Sequence, residues 1–171
     1  MAAVDGVEPD TGGSGRPEME TAMERALQFL SYRARTRAEV RRRLERAGIS
    51  NSIIEDVLER LVETELVDDE GFAATFVRDR LALRPTGVRR LVEELHARGI
   101  DRDRGLRVVL RVMQEEAVTE ADLLRRAGEK KARVLDRLAP PTARRRLFDH
   151  LARRGFPLDD VRAYVARTLE G

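Results

Sequence analysis

A chain of 171 residues is long enough for one medium domain or a short array of repeats, and 37% of it is charged against only 4% aromatic. With no Cys, disulfide and thiolate chemistry is excluded, and no apolar run approaches the ~20 residues of a membrane helix. The net charge of +2 hides a split: residues 1–21 hold five acids and one Arg, whereas residues 118–171 hold thirteen bases and eight acids. A basic C-terminal third suits a polyanion or an acidic partner. Only Lys130 and Lys131 are Lys, the other bases being Arg.

Residues 1–21 contain Pro9, Gly12, Gly13, Ser14, Gly15 and Pro17 without periodicity, which predicts a disordered acidic tail. Gly12-Gly13-Ser14-Gly15 is no phosphate loop, because no Gly-Lys-Ser/Thr follows it. There is no signal-peptide pattern.

From residue 22 onward the periodicity predicts helix throughout. Three stretches repeat: AEVRRRLERAGI over 38–49, RRLVEELHARGI over 89–100 and RRLFDHLARRGF over 145–156. Aligned on Gly48, Gly99 and Gly155, they place Leu44, Leu95 and Leu151 four residues earlier and Val40, Leu91 and Leu147 eight earlier. Those positions share one helix face. The Gly suits the left-handed position that closes a helix, and Ile49, Ile100 and Phe156 supply the apolar contact that accompanies such a cap.

A further helix follows each Gly, over 52–65, 102–116 and 158–169, with expected core residues Ile54, Val57 and Leu58, then Leu106, Val109 and Leu110, then Val161, Tyr164 and Val165. The middle copy is expected to run one residue late. Another helix precedes each repeated stretch, over 22–33, 69–84 and 120–138. Thr36 to Glu39 and Ser52 to Glu55 both match a capping box. Pro85 and Pro140-Pro141 are expected to close the helices before them.

The expected fold is all-α, an elongated array of three tandem three-helix repeats with nine helices: residues 22–67, 68–117 and 118–171, after the tail 1–21. Asp68, Asp69 and Glu70 open the first helix of the middle repeat. Acids there favour the helix start, and Asp68 or Asp69 fits its N-cap.

Chemistry of catalysis is sparse. His96 and His150 lie on different repeats without ligand spacing, no Ser sits in a nucleophile motif, and neither metal nor cofactor is expected. The expected function is therefore not enzymatic. The second helix of each repeat carries Arg on its outer face: Arg41, Arg42 and Arg46, then Arg89 and Arg90, then Arg144, Arg145, Arg146, Arg153 and Arg154. A guanidinium grips phosphate or carboxylate in a bidentate fork, so these are the candidate partner- or nucleic-acid-binding residues. Glu93 and Glu94 interrupt the run in the middle repeat.

The central residues resemble the RecX regulators of the bacterial RecA recombinase. The resemblance is carried by Leu66, Asp68, Asp69, Phe72, Ala73, Phe76, Val77 and Arg80, then by Gly87, Leu91, Glu94, Leu95, Arg98, Gly99 and Ile100. It extends from about Ala26 to Leu169, more weakly in the third repeat. It implies a cytoplasmic, monomeric protein that binds the RecA–DNA filament. There it would inhibit ATP hydrolysis, strand exchange and the coprotease activity of the SOS response. Direct contact with single-stranded DNA is left open. The alternative is a sequence-tolerant, helix-turn-helix-like DNA-binding module, and the acids at the starts of the third helices argue against it.

Overall fold

The computed structural model describes residues 15–169. Among the described residues there are nine helices and no strand: α1 Gly15–Leu30, α2 Arg37–Glu45, α3 Asn51–Glu63, α4 Asp69–Leu83, α5 Val88–His96, α6 Arg102–Glu115, α7 Glu120–Leu135, α8 Pro140–Arg153 and α9 Leu158–Leu169. Packing follows the triplets: α1, α2 and α3 touch one another, as do α4, α5 and α6, and α7, α8 and α9. No helix of the described residues is long and apolar enough to cross a membrane.

The triplets do not form three separate cores. The chain divides after Asp68 into two compact units. The first buries Ala22, Ala26, Val40, Leu44, Ile54, Val57, Leu58, Leu61 and Val67. The second contains both later triplets around one continuous core, from Ala73 on α4 to Val165 on α9. The middle and third repeats thus bury one another's apolar faces, while the first has a core of its own.

The same turn joins the second helix to the third in each repeat. Gly48, Gly99 and Gly155 have φ of 77°, 92° and 81°, the left-handed region that costs an L side chain about 1–2 kcal/mol. In the first two, the next N–H reaches back to the buried leucine: Ile49 N to Leu44 O and Ile100 N to Leu95 O, both at 3.2 Å. Leu44, Leu95 and Leu151 are fully buried, as are Val40, Leu91 and Leu147. Ile100 and Phe156 follow them into the core, and Ile49 is half-buried.

Several details differ from the sequence reading. The tail expected over 1–21 is already helical from Gly15, with Pro17 in the first turn, where its missing N–H has no intrahelical partner to lose. Residues 1–14 lie outside the described residues. The Thr36–Glu39 capping box is formed, with Glu39 N donating to Thr36 Oγ1 at 3.2 Å and Thr36 N to Glu39 Oε2 at 3.2 Å. The Ser52–Glu55 box is not, because the N-cap of α3 is Ser50, two residues before Ser52, and Glu55 takes Arg37 and Arg41 instead. A box at Thr119 and Asp122 opens α7. Pro140 does not close α7, which ends at Leu135; it opens α8.

The middle copy does not run one residue late. Leu106 and Leu110 are exposed, whereas Gly105, Val108 and Val109 are buried. Counted from the turn glycine, Gly105 therefore stands where the flanking repeats have Ile54 and Val161. The missing side chain at Gly105 misled the alignment. A Cβ there would lie 3.6 Å from Leu95 Cδ1, an ordinary contact.

A second pair of glycines lets the middle and third repeats approach at backbone distance. A Cβ on Gly87 would lie 2.5 Å from Gly155 O, and one on Gly155 would lie 2.8 Å from Arg90 N. Gly87 N donates to Arg154 O at 2.9 Å, so the N-cap of α5 is tied to the turn after α8.

Urea denaturation tests this packing. Gly105→Ala is expected to stabilise the second unit by up to about 1 kcal/mol, since helix propensity rises and no contact is forced. Leu95→Ala at the same contact is expected to cost about 2–5 kcal/mol, and a cost below half of the lower value would show that this face is not close-packed. Gly87→Ala is expected to cost roughly 1–3 kcal/mol through overpacking against backbone that cannot yield.

Candidate functional site

The residues of the central motif converge on Phe76. The guanidinium of Arg80, one helical turn later, lies 4.6 Å from its ring centroid, and that of Arg98 lies 4.4 Å away. Phe72 stacks beside it, with centroids 6.4 Å apart and planes at 9°. Glu94 on α5 holds both cations: Arg80 Nε donates to Glu94 Oε2 at 2.9 Å, and Arg98 Nη1 to the Glu94 carbonyl at 2.6 Å. Arg90 Nε also donates to Glu94 Oε1 at 3.2 Å. Burial pushes the Glu94 carboxyl up, but Arg80 and then Arg90 outweigh it and hold it below the usual carboxylate range. Each cation sits over a ring face that attracts it. The cluster locks α4 to α5 from inside the repeat, a structural role for Phe72, Arg80 and Glu94.

The acids that open α4 are likewise engaged. Asp68 immediately precedes the helix, and Asp69 and Glu70 lie in its first turn. Glu70 reaches across to α6, with Arg111 Nη1 at 2.7 Å and Arg104 Nη2 at 3.7 Å. At the other end Arg78 spans to Glu115 at 2.6 Å and Glu116 at 3.3 Å. The remaining motif residues are packing and turn positions: Ala73, Leu95 and Ile100 are buried, Gly99 is a left-handed turn, and Gly87 is the close approach described above.

The ten candidate arginines fall into two groups. Three turn inward. Arg41 pairs with Glu55, which Arg37 also holds at 3.1 Å; the hydrogen bond from Arg41 is the main reason that carboxyl sits below its usual range. Arg90 is drawn to Glu93 and Glu94 on its own helix. Arg154 is half-buried, and its Nη1 donates to the Pro85 carbonyl at 2.7 Å. It braces the third repeat against the middle one, and burial, followed by Arg84, disfavours its charge. The others are exposed: Arg42 and Arg46 on or just after α2, Arg89 on α5, and Arg144, Arg145, Arg146 and Arg153 on α8. Arg42 Nε donates to its own helix, to Ala38 O at 3.1 Å.

One basic concentration escaped the sequence reading. Arg126, Lys130 and Lys131 on α7 meet His150 and Arg154 around a concavity of about 320 Å³, closed on the other side by Ala82, Leu83 and Pro85. The signal available was the adjacent pair of lysines, alone of their kind in an Arg-rich chain. Their meeting with α8 and the end of α4 is tertiary. Among the described residues no group of three or more His, Asp or Glu could hold a metal ion.

The lock around Phe76 makes a pH-dependent prediction. Because the folded-state pKa of Glu94 is lowered, its contribution is present at neutral pH and is lost as pH falls from about 4.3 through that lowered value. Glu94→Gln is expected to destabilise the second unit by about 1–3 kcal/mol at pH 7. The gap from wild type should narrow in acid denaturation curves below about pH 4. A gap independent of pH would remove the charge from the account.

Known proteins match the whole of this architecture. Three family models cover the chain in order: "RecX, first three-helix domain" over residues 22–61, "RecX, second three-helix domain" over 68–103 and "RecX, third three-helix domain" over 119–165. The regulatory protein RecX of Thermobifida fusca (strain YX) is 38% identical over 173 residues, covering 98% of this chain and 90% of that one. That of Prosthecochloris aestuarii is 34% identical over 143 residues, covering 82% and 89%. Among solved structures, RecX from Lactobacillus salivarius superposes with a TM-score of 0.72 at 21% identity, over 91% of this chain and 98% of that one, which concerns the fold. With three RecX domain models matched in order and relatives above 30% identity along most of its length, the chain belongs to the RecX family of regulatory proteins.

Proposed function

We propose that this protein regulates RecA by binding the RecA–DNA filament and inhibiting its ATP hydrolysis, strand exchange and coprotease activity. Its relatives carry the name of regulatory proteins, in keeping with a role without catalysis of its own. On this reading the protein works as a monomer in the cytoplasm, where RecA assembles on single-stranded DNA.

The observation that carries the reading is the sorting of the arginines. Arg89 on α5 and Arg145, Arg146 and Arg153 on α8 are exposed and make no ion pair among the described residues, although acids elsewhere in the unit are taken up by other arginines. An exposed guanidinium keeps its fork for phosphate or carboxylate. Several such weak contacts on one rigid unit reinforce each other only on a target that spans them, and linked contacts of this kind raise avidity by ~10²–10⁴. A filament presents both chemistries repeatedly; a free subunit or a free strand presents fewer.

The helix-turn-helix alternative is disfavoured by the third helices. Asp101 caps α6 with its own carboxylate, accepting from Asp103 N at 2.9 Å and Arg104 N at 3.2 Å, and α9 opens with Asp159 and Asp160. A recognition helix with an acidic leading turn would meet phosphates with the wrong sign.

The test is the triple variant Arg145→Ala, Arg146→Ala, Arg153→Ala, titrated against RecA filament, free RecA and single-stranded DNA. Filament affinity and ATPase inhibition should fall about tenfold or more, as expected when linked ion pairs are removed together. Each arginine–phosphate pair removed should reduce the salt slope by about 0.7–0.9. Unchanged inhibition would remove α8 from the interface, and equal affinity of the wild type for all three targets would refute a filament-spanning mode.

A further inference from the structure

The concavity between the end of α4 and helices α7 and α8 is built for an anion, and its rim narrows the kind. Arg126 and Lys130 are one turn apart on α7, and Ala127, Lys131 and Val134 line the adjacent face of the same helix. The acids of this helix are used elsewhere: Arg125, which does not line the concavity, takes Asp122 at 3.4 Å and Glu129 at 3.4 Å. Arg126, Lys130 and Lys131 make no ion pair among the described residues. The buried side of the concavity registers the resulting field. His150 has its pKa pushed down to about 4, first by burial and then by Arg154, Lys131, Arg153 and Arg84. Arg126, Lys130, Lys131, His150 and Arg154 thus face one space without a counter-charge.

The walls decide between the two common biological polyanions. Leu83 and Val134 stand on the rim at 79% and 70% exposure, among the most exposed large apolar side chains of the described residues. No Phe, Tyr or Trp lines the space, and its one ring, the His150 imidazole, is half-buried. Single-stranded nucleic acid is held in such grooves mainly by successive bases stacking on exposed aromatic faces, and one half-buried imidazole offers no such series. Two aliphatic side chains beside a cluster of free cations complement a carboxylate-rich segment that carries aliphatic residues of its own.

We propose that this concavity is a docking site for an acidic, aliphatic peptide segment of a protein partner, with Lys130, Lys131 and Arg126 binding carboxylates and Leu83 and Val134 touching the apolar side chain between them. It is a second binding surface, distinct from the exposed arginines of α5 and the outer face of α8. Arg154, whose guanidinium is committed to the Pro85 carbonyl, contributes charge and keeps the two walls together.

The experiment uses the full chain and no RecA, so its outcome is separate from that of the filament reading. The probe is the end-blocked heptapeptide Asp-Glu-Leu-Asp-Glu-Leu-Asp, followed by fluorescence anisotropy and by the His150 ring signals in NMR. Lys130→Ala with Lys131→Ala should weaken binding about tenfold, the sum of several half-exposed ion pairs. Leu83→Ser with Val134→Ser should weaken it about threefold, because less apolar surface is buried on binding. Saturation with the peptide should raise the His150 pKa, because carboxylates offset the cations around it. Thermal midpoints serve as the check that both double variants remain folded. An oligothymidylate strand that binds more tightly than the peptide, is sensitive to the lysine pair and is indifferent to the aliphatic pair would overturn the proposal in favour of nucleic acid. Peptide binding equal in wild type and both variants, or a His150 pKa that does not move at saturation, would overturn it outright.

Discussion

The left-handed glycine after each second helix is the constraint on which the rest depends. It reverses the chain within one residue and, in the first two repeats, returns a backbone N–H to the leucine carbonyl one turn before. That bond forms where the leucine side chain points into the triplet, so the turn and the core position specify each other. The third copy adds a requirement of its own. Gly155 must be free of a side chain for its φ and also because Arg90 presses against it from the middle repeat. One residue thus closes a helix and admits the neighbouring repeat.

The division of labour among the arginines follows from where acids are available. Arg80 and Arg98 lie over Phe76 and are tied to Glu94, and Arg104 and Arg111 meet Glu70 across the α4–α6 contact. The partly buried Arg80–Glu94 pair holds its partner more firmly than an isolated surface pair does, and the exposed Glu70 pairs add less. They turn a chain rich in a flexible cation into a rigid unit. By contrast, Arg145, Arg146 and Arg153 on α8 and Arg126, Lys130 and Lys131 on α7 make no ion pair among the described residues.

The merging of the middle and third repeats into one core also bears on function. A flexible joint between them would let their cationic residues move independently, and simultaneous binding would then cost the ordering of both. The backbone approach at Gly87 and Gly155, with the Arg154 brace on Pro85, fixes their relation in advance. The concavity beside α7 exists only because of that fixed relation, since its walls come from both repeats.

Periodicity and glycine placement alone determined the three helical triplets, the buried Leu44, Leu95 and Leu151 and the turns after them, because these depend on spacing within a dozen residues. The motif around Asp68 to Ile100 likewise carried the family resemblance without any coordinates. Helix limits were less legible: Pro140 reads equally as a stop or a start, and only the packing of α8 assigns it to the latter. The register of α6 was misread because Gly105 leaves a gap where the pattern needs a side chain, and a one-dimensional alignment slides to fill it. Which arginines face inward was decided by tertiary structure alone. Arg154 and the carbonyl it braces are 69 residues apart, and Lys130 and Lys131 become a site only opposite the end of α4. Sequence spacing governs what a helix can present; the partner of a charge far along the chain is settled only when the core has closed around both.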